Sequence, residues 1–200
     1  MVGGRKKIFD EHVALEAAMD VFWEKGYLGA SLADLTHRMG INKPSMYSTF
    51  GNKEALFIKA THLYCKSKIQ SFTDILSDIN VPLKQRLKAY LMSVVSVQCE
   101  SDNPKGCYII LCESEVASGE LPQEASSLLI EAGQYAQNLL EETLQNEIET
   151  KRSEDKEQSK IKALCLASTL RGTASLARSG YSMSNLEAVI DHSLKGIGFE

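Results

Sequence analysis

Residues 31–53 read SLADLTHRMGINKPSMYSTFGNK, and their reading decides the fold. Ser31 and Asp34 have the spacing of an N-terminal capping box, and Leu32, Leu35 and Met39 then recur at helical spacing. Gly40 ends this helix, because a residue leaving a helix left-handed is least strained when it has no Cβ. Asn42 is placed to cap a second helix, with Pro44 in its first turn, where a missing N–H is no loss. The second helix is only about two turns long at 3.6 residues per turn. It puts Met46 and Phe50 on one face and Lys43, Ser45, Tyr47, Ser48 and Thr49 largely elsewhere. A helix too short to build a core, rich in hydroxyls and opening on a lysine, suits a helix laid in a DNA groove.

Working outward, the chain has 200 residues, 44% apolar and 24% charged, a composition that is globular and neither disordered nor membrane-like. No apolar run approaches the roughly 18 residues a membrane span needs, and the start MVGGRKKIFDEH lacks the apolar segment of a secretory signal. The expectation is a soluble cytoplasmic protein with no membrane partner. The net charge of −4 is unevenly placed. Residues 1–60 hold eight Lys/Arg against seven Asp/Glu, and residues 61–200 hold fourteen against nineteen. The basic side chains Arg5, Lys6, Lys7, Lys43 and Lys53 fall around the two-helix unit. The five cysteines (Cys65, Cys99, Cys107, Cys112, Cys165) form no CxxC pair, which argues against a disulfide framework. The four histidines are scattered without ligand spacing, so neither a metal site nor a cofactor is expected.

Residues 1–7 read as a basic arm. A first helix is expected from about Asp10 to Lys25, with Val13, Ala14, Ala17, Ala18, Val21 and Phe22 as its apolar stripe and Gly26 as its stop. Three short helices bury little area, so the unit must lean on the C-terminal part of the chain. Lys53 opens a longer connector helix to about Asp74. Further helices are expected from Pro82 to Cys99, from a cap at Asn103 through Cys107 to Gly119, from Pro122 past Leu144, and from about Gln158 to Arg178. A last one begins after Ser184, whose spacing to Glu187 suits a capping box. The charged run at 146–160 reads as a solvated helix end and loop. No strand alternation and no repeat appears. The fold class is all-α, about nine helices: an N-terminal arm and helix-turn-helix unit over residues 1–52, and a bundle over 53–200 with helix 53–74 as connector.

These residues resemble the TetR family of bacterial regulators. The resemblance rests on FWEKGYLGASLADL and HRMGINKPSMYSTFGNKEALF, with Gly40-Ile41, Pro44-Ser45-Met46-Tyr47, Phe50, Lys53-Glu54 and Leu56 in register, and it covers residues 8–57. It implies a homodimer on palindromic operator DNA, released when a small-molecule effector binds the C-terminal bundle: a transcriptional repressor, not an enzyme. Lys53 can hold phosphate at a helix N-terminus, Ser31 can face the backbone, and Tyr47 and Thr49 can offer hydroxyls to phosphate. Lys43, Ser45 and Ser48, beside the cap Asn42, are candidates for base edges or nearby phosphates. Ala33 stands where some members carry a base-reading residue, so the short helix and the arm must supply most direct readout.

The stretch NPKGCYIILCESEVA resembles a subgroup with an Asn-Pro-x-Gly-Cys motif, in some of whose members the cysteine responds to oxidants or electrophiles. Cys107, expected in a helix's first turn near Lys105, is the sensor candidate, against a purely structural role in close packing on the connector. The alternative trigger is a reversible ligand between the fourth and eighth helices, with Tyr64, Tyr90, Tyr108, Tyr135 and Thr169 as candidate polar contacts. The last two helices are expected to form the dimer interface, through Ala163, Ala167, Gly172, Ala174 and Ala177 and the stripe Leu186–Ile197, with burial of these residues within one chain as the competing account. Two other classes compete. A thiol-dependent enzyme on Cys107 lacks a histidine partner, and a helical protein-interaction module leaves the short hydroxyl-rich helix unexplained.

Overall fold

The computed structural model describes residues 9–69, 72–151 and 156–199. The basic arm expected at 1–7 and residues 152–155 of the charged run lie outside these residues. Among those described there is no strand, and ten α-helical segments, one a single turn, alternate with short connections. The helices are α1 (Glu11–Gly29), α2 (Leu32–Met39), α3 (Lys43–Phe50), α4 (Lys53–Tyr64), α5 (Asp74–Ser77), α6 (Leu83–Cys99), α7 (Tyr108–Glu113), α8 (Gln123–Lys151), α9 (Lys156–Arg178) and α10 (Met183–Gly196).

Local chemistry sets most of the boundaries. The Asp10 carboxylate accepts from the N–H groups of His12 and Val13 and starts α1. Gly26 interrupts α1 at φ 74°, ψ 180°, and the chain makes one more turn to Gly29. Ser31 and Asp34 cap α2 reciprocally, and Gly40 leaves it at φ 66°. Asn42 caps α3 by accepting from Ser45 N–H, and Asn52 caps α4 from Ala55 N–H. Val13 departs from its expected place in the core: it is 60% exposed, while Met19 and Trp23 are buried instead.

Three other boundaries differ from expectation. The connector α4 ends at Tyr64 and passes into a π-helical turn, Cys65–Ile69, before α5. Asn103 caps no helix; its amide bonds Glu100, and α7 begins only at Tyr108. The last helix is capped by Ser182 with Asn185, not by Ser184 with Glu187.

Two apolar clusters form the interior. The first joins α1–α4 to the α7–α8 region, through Phe22, Trp23, Leu35, Met46, Phe57, Tyr64, Tyr108, Ile109, Cys112 and Leu129. Aromatic rings run through it: Trp23 meets Tyr64 edge-on at 4.9 Å, Tyr64 stacks on Tyr108 at 5.0 Å, and Phe57 meets Phe22 edge-on at 5.0 Å. The N-terminal helices therefore do lean on the body. The second cluster packs α6, α8, α9 and α10 with Leu76 of α5. At its edge the buried Arg86 donates to the carbonyls of Val81 and Leu76 and to Glu147, so its charge is fully engaged.

This arrangement corrects the expected dimer stripe. Leu186, Ile190 and Leu194, with Ala163, Ala167, Ala174 and Ala177, are buried within one chain. The outward side of α9 instead presents Ile161 and Leu164, 49% and 51% exposed, beside Cys165 and Gly172.

Candidate functional site

The α2–turn–α3 unit is held from behind. Lys25 of α1 pairs with Asp34 at 2.6 Å, and Arg38 of α2 pairs with Glu24 at 2.7 Å. Lys25, with the Ser31 hydroxyl and N–H, holds the Asp34 carboxyl well below the usual carboxylate range. Met46 and Phe50 of α3 are buried, as their spacing predicts, and fix the helix by its inner face.

The outer face carries the candidates, with one exception. Lys43, Tyr47 and Ser48 are exposed, Tyr47 by 48%, and Ser45 is half-buried beside them. Ser48 donates to Ser45 O at 3.0 Å, so its hydroxyl reaches outward only as an acceptor or after turning. Asn42 commits its carbonyl oxygen to the cap. Ser31 both accepts from Asp34 N–H and donates to the Asp34 carboxylate at 2.6 Å, which ties its hydroxyl to the box. Thr49 is the exception: its Oγ1 is enclosed, without a protein partner, and is not offered to a phosphate.

Lys53 opens α4 behind the Asn52 cap. Its ammonium sits 4.4 Å from the centre of the Tyr27 ring, a cation–π contact. Burial pushes the lysine pKa down, and the charge of Glu115 partly opposes this. Sequence reasoning passes over Tyr27 and Glu115. Their partners lie far along the chain, where no local pattern marks them.

Among the described residues, the body contains a partly enclosed cavity. It holds about 80 Å³ and is lined by α4 and its π turn (Tyr64, Lys68), α6 (Tyr90, Gln98), the α7 segment (Cys107, Ile110), α8 (Ala136) and α9 (Leu170, Arg171). Tyr64 and Tyr90 therefore meet Cys107 at one site. Tyr108, Tyr135 and Thr169 do not line it. Tyr108 is buried against Thr61, with 2.9 Å between hydroxyls, and Thr169 donates to Cys165 O and lies 3.0 Å from Ser193 Oγ. Gln98, which no sequence pattern marks, is buried in the cavity wall. Its Nε2 donates to Leu170 O, and its Oε1 has no protein partner. Because Leu170 O can only accept, the amide is oriented with its oxygen as the remaining acceptor.

Cys107 precedes α7 in extended conformation, rather than sitting in a first turn, and Tyr64 Oη donates to its Sγ at 3.5 Å. Lys105 does not serve the thiol; its ammonium bonds the carbonyls of Cys99 and Glu100 and closes the end of α6. Of the pair expected to pack on the connector, Cys107 meets it through Tyr64, while Gly106 packs against α9: a Cβ there would lie 2.7 Å from Ala174 O, at φ 83°. Burial pushes the Cys65 thiol up to about 11 and Cys112 well above the usual thiol range.

Residues 14–60 match the model of the bacterial regulatory proteins of the tetR family. Over these residues the chain is a tetR-family regulatory domain. The chain is 35% identical over 112 residues to the transcriptional repressor ComR of Escherichia coli (strain K12), a match covering 54% of this chain and 51% of ComR. It spans about half the length of the first curated relatives it matches. Among solved structures it is similar to a cysteine mutant of the TetR family regulator CifR complexed with 26-bp double-strand operator DNA, with a TM-score of 0.83, 28% identity and coverage of 96% of this chain and 98% of that one. Reduced NemR of Escherichia coli shares the fold, with a TM-score of 0.72 at 20% identity over 92% of this chain and 94% of NemR. Among the described residues, no helix is long and apolar enough to cross a membrane.

Proposed function

We propose that this chain is a TetR-family, sequence-specific DNA-binding repressor, a homodimer released from a palindromic operator by a small effector bound in the α4–α9 cavity. The observation that carries the reading is α3: anchored inward by Met46 and Phe50, it turns Lys43, Tyr47 and Ser48 outward from a helix two turns long. Such a helix fits the major groove, and a twofold dimer sets two of them one helical turn of DNA, or a multiple, apart. CifR complexed with operator DNA supports the same docking here. Residues 1–52 are the reading head, with α4 joining it to an effector and dimerisation body from 53 onward. The outward side of α9, with Ile161 and Leu164, is the dimer face that fits best.

Selection of bound duplexes from random DNA tests this reading. We expect enrichment of a palindrome, bound with steep salt dependence. Lys43→Ala and Tyr47→Phe should weaken that duplex without unfolding the protein. Unchanged affinity across a salt titration for both variants would remove α3 from the interface.

A second reading of the trigger is favoured by one observation: Cys107 Sγ lines the cavity and takes the Tyr64 hydroxyl. An electrophile entering there would be attacked by this sulfur. With N-ethylmaleimide, Sγ adds across the ring C=C and the thiol proton ends on the neighbouring carbon. DNA release by N-ethylmaleimide in the wild type but not in Cys107→Ser is the expected outcome. Equal release in both proteins would leave the cavity with reversible ligands only.

A further inference from the structure

The break in α1 lies at Gly26, whose φ of 74° and ψ of 180° interrupt the helical ladder. In a continuous helix the N–H of Tyr27 would meet the carbonyl of Trp23, and Leu28 that of Glu24. Across the break, both halves of these pairs meet charged side chains from the body. Tyr27 N–H donates to the Glu115 carboxylate at 2.7 Å, and Leu28 N–H to the same group at 3.3 Å. Arg178 donates to Trp23 O at 3.0 Å and to Glu24 O at 3.5 Å. The Glu115 carboxylate rests directly on Gly26, where a Cβ would overlap its Oε1.

We propose that Glu115 and Arg178 are positioning residues for operator recognition, a two-armed clamp on the break in α1 that fixes the angle at which the head leaves the body. The inference rests on the DNA-binding reading. Each arm starts from an element that also walls the cavity. Glu115 lies just past α7, whose entry carries Cys107, Ile109 and Ile110, and Arg178 ends α9, two turns beyond Arg171. On the head side, Tyr27, held by Glu115, carries Lys53 on its ring and packs edge-on against Phe57 at 4.9 Å. A ligand that separates α7 from α9 pulls the two arms apart. The break in α1 is the joint that yields. Charge-assisted bonds of this kind are directional, so they set an angle as well as a contact.

The test is half-site spacing. The probe is the duplex that the wild type enriches from random DNA, and the same duplex with one base pair inserted at its dyad, which rotates one half-site by roughly a tenth of a turn. We expect the wild type to discriminate strongly between the two. Glu115→Gln and Arg178→Met should bind the enriched duplex several-fold more weakly, keep the wild-type salt slope, since no phosphate contact is lost, and lose most of the discrimination. Arg178→Lys, which keeps one charged donor, should fall between, and provides the readout should either other variant fail to fold. A residue acting only on global stability would shift the melting temperature without relaxing the spacing preference. Wild-type discrimination in the variants that fold would overturn the clamp while leaving the regulator reading intact. A wild type that enriches no duplex would overturn that reading, and the clamp with it.

Discussion

Met46 and Lys43 sit one turn apart on α3 and do opposite things. Met46 is fully buried, so Met46→Ala removes packed surface and should lower unfolding free energy by about 2–5 kcal/mol, read from denaturant titration. Lys43 is exposed, and Lys43→Ala should leave that titration within about 0.5 kcal/mol. Both residues are legible from spacing alone, because a two-turn helix has one inner face. Thr49 is not. It lies in the same hydroxyl-rich run, yet its oxygen is enclosed. Gly106 is legible only in part. The sequence offers a small residue before Cys107, and the structure supplies the reason, a left-handed φ of 83° with Ala174 O close by. Gly106→Ala should therefore destabilise the chain and lower its melting temperature, while Gly180→Ala, at φ 89° but with open space around it, should show only the backbone strain.

At the scale of elements, the caps carry the argument. Ser31 with Asp34, Asn42 with Ser45 and Gly40 with its left-handed turn are readable because each is settled within four residues. Ser31→Ala should cost about 1 kcal/mol. The box also has a pH signature. The Asp34 carboxyl is held below its ordinary value by Lys25 and Ser31 in the folded chain, so its contribution is complete above the unfolded pKa, near 4. It is lost as pH falls below that point toward the folded pKa. A melting series from pH 6 to pH 2 should show this loss, and Asp34→Asn should remove that part of it. The boundaries that sequence reasoning misplaces have more than one cause. The end of α4 passes into a π turn whose residues help wall the cavity, while the Asn103 side chain is taken locally by Glu100, three residues back at the end of α6. The Glu115 and Arg178 contacts join residues 87 to 155 positions apart, and no local pattern announces them.

On the whole molecule, the sequence yields an all-α chain with a head and a body, and the structure reassigns which faces are outward. The apolar stripe of α10 reads as an interface in sequence because a single amphipathic helix does not say whether its partner lies in the same chain. With Ile161 and Leu164 on the outer side of α9, Leu164→Arg should shift the species to half its mass in a concentration series while helix content stays constant. The cavity sets a second expectation. An apolar ligand of benzene size occupies a cavity of about 150 Å³, so a ligand of that size enclosed by this cavity would have to widen the 80 Å³ present. Under the effector reading, enclosure of such a ligand and rearrangement of the walls would be one event. The apolar cluster that joins the N-terminal helices to Tyr108, Ile109, Cys112 and Leu129 has a consequence for anyone wishing to transplant specificity. The portable unit is not the first fifty residues. A graft of α1–α4 onto a foreign body would meet the wrong surface where Tyr108 stacks and where Glu115 reaches the broken helix, so a working chimera has to carry α7 with the head it serves.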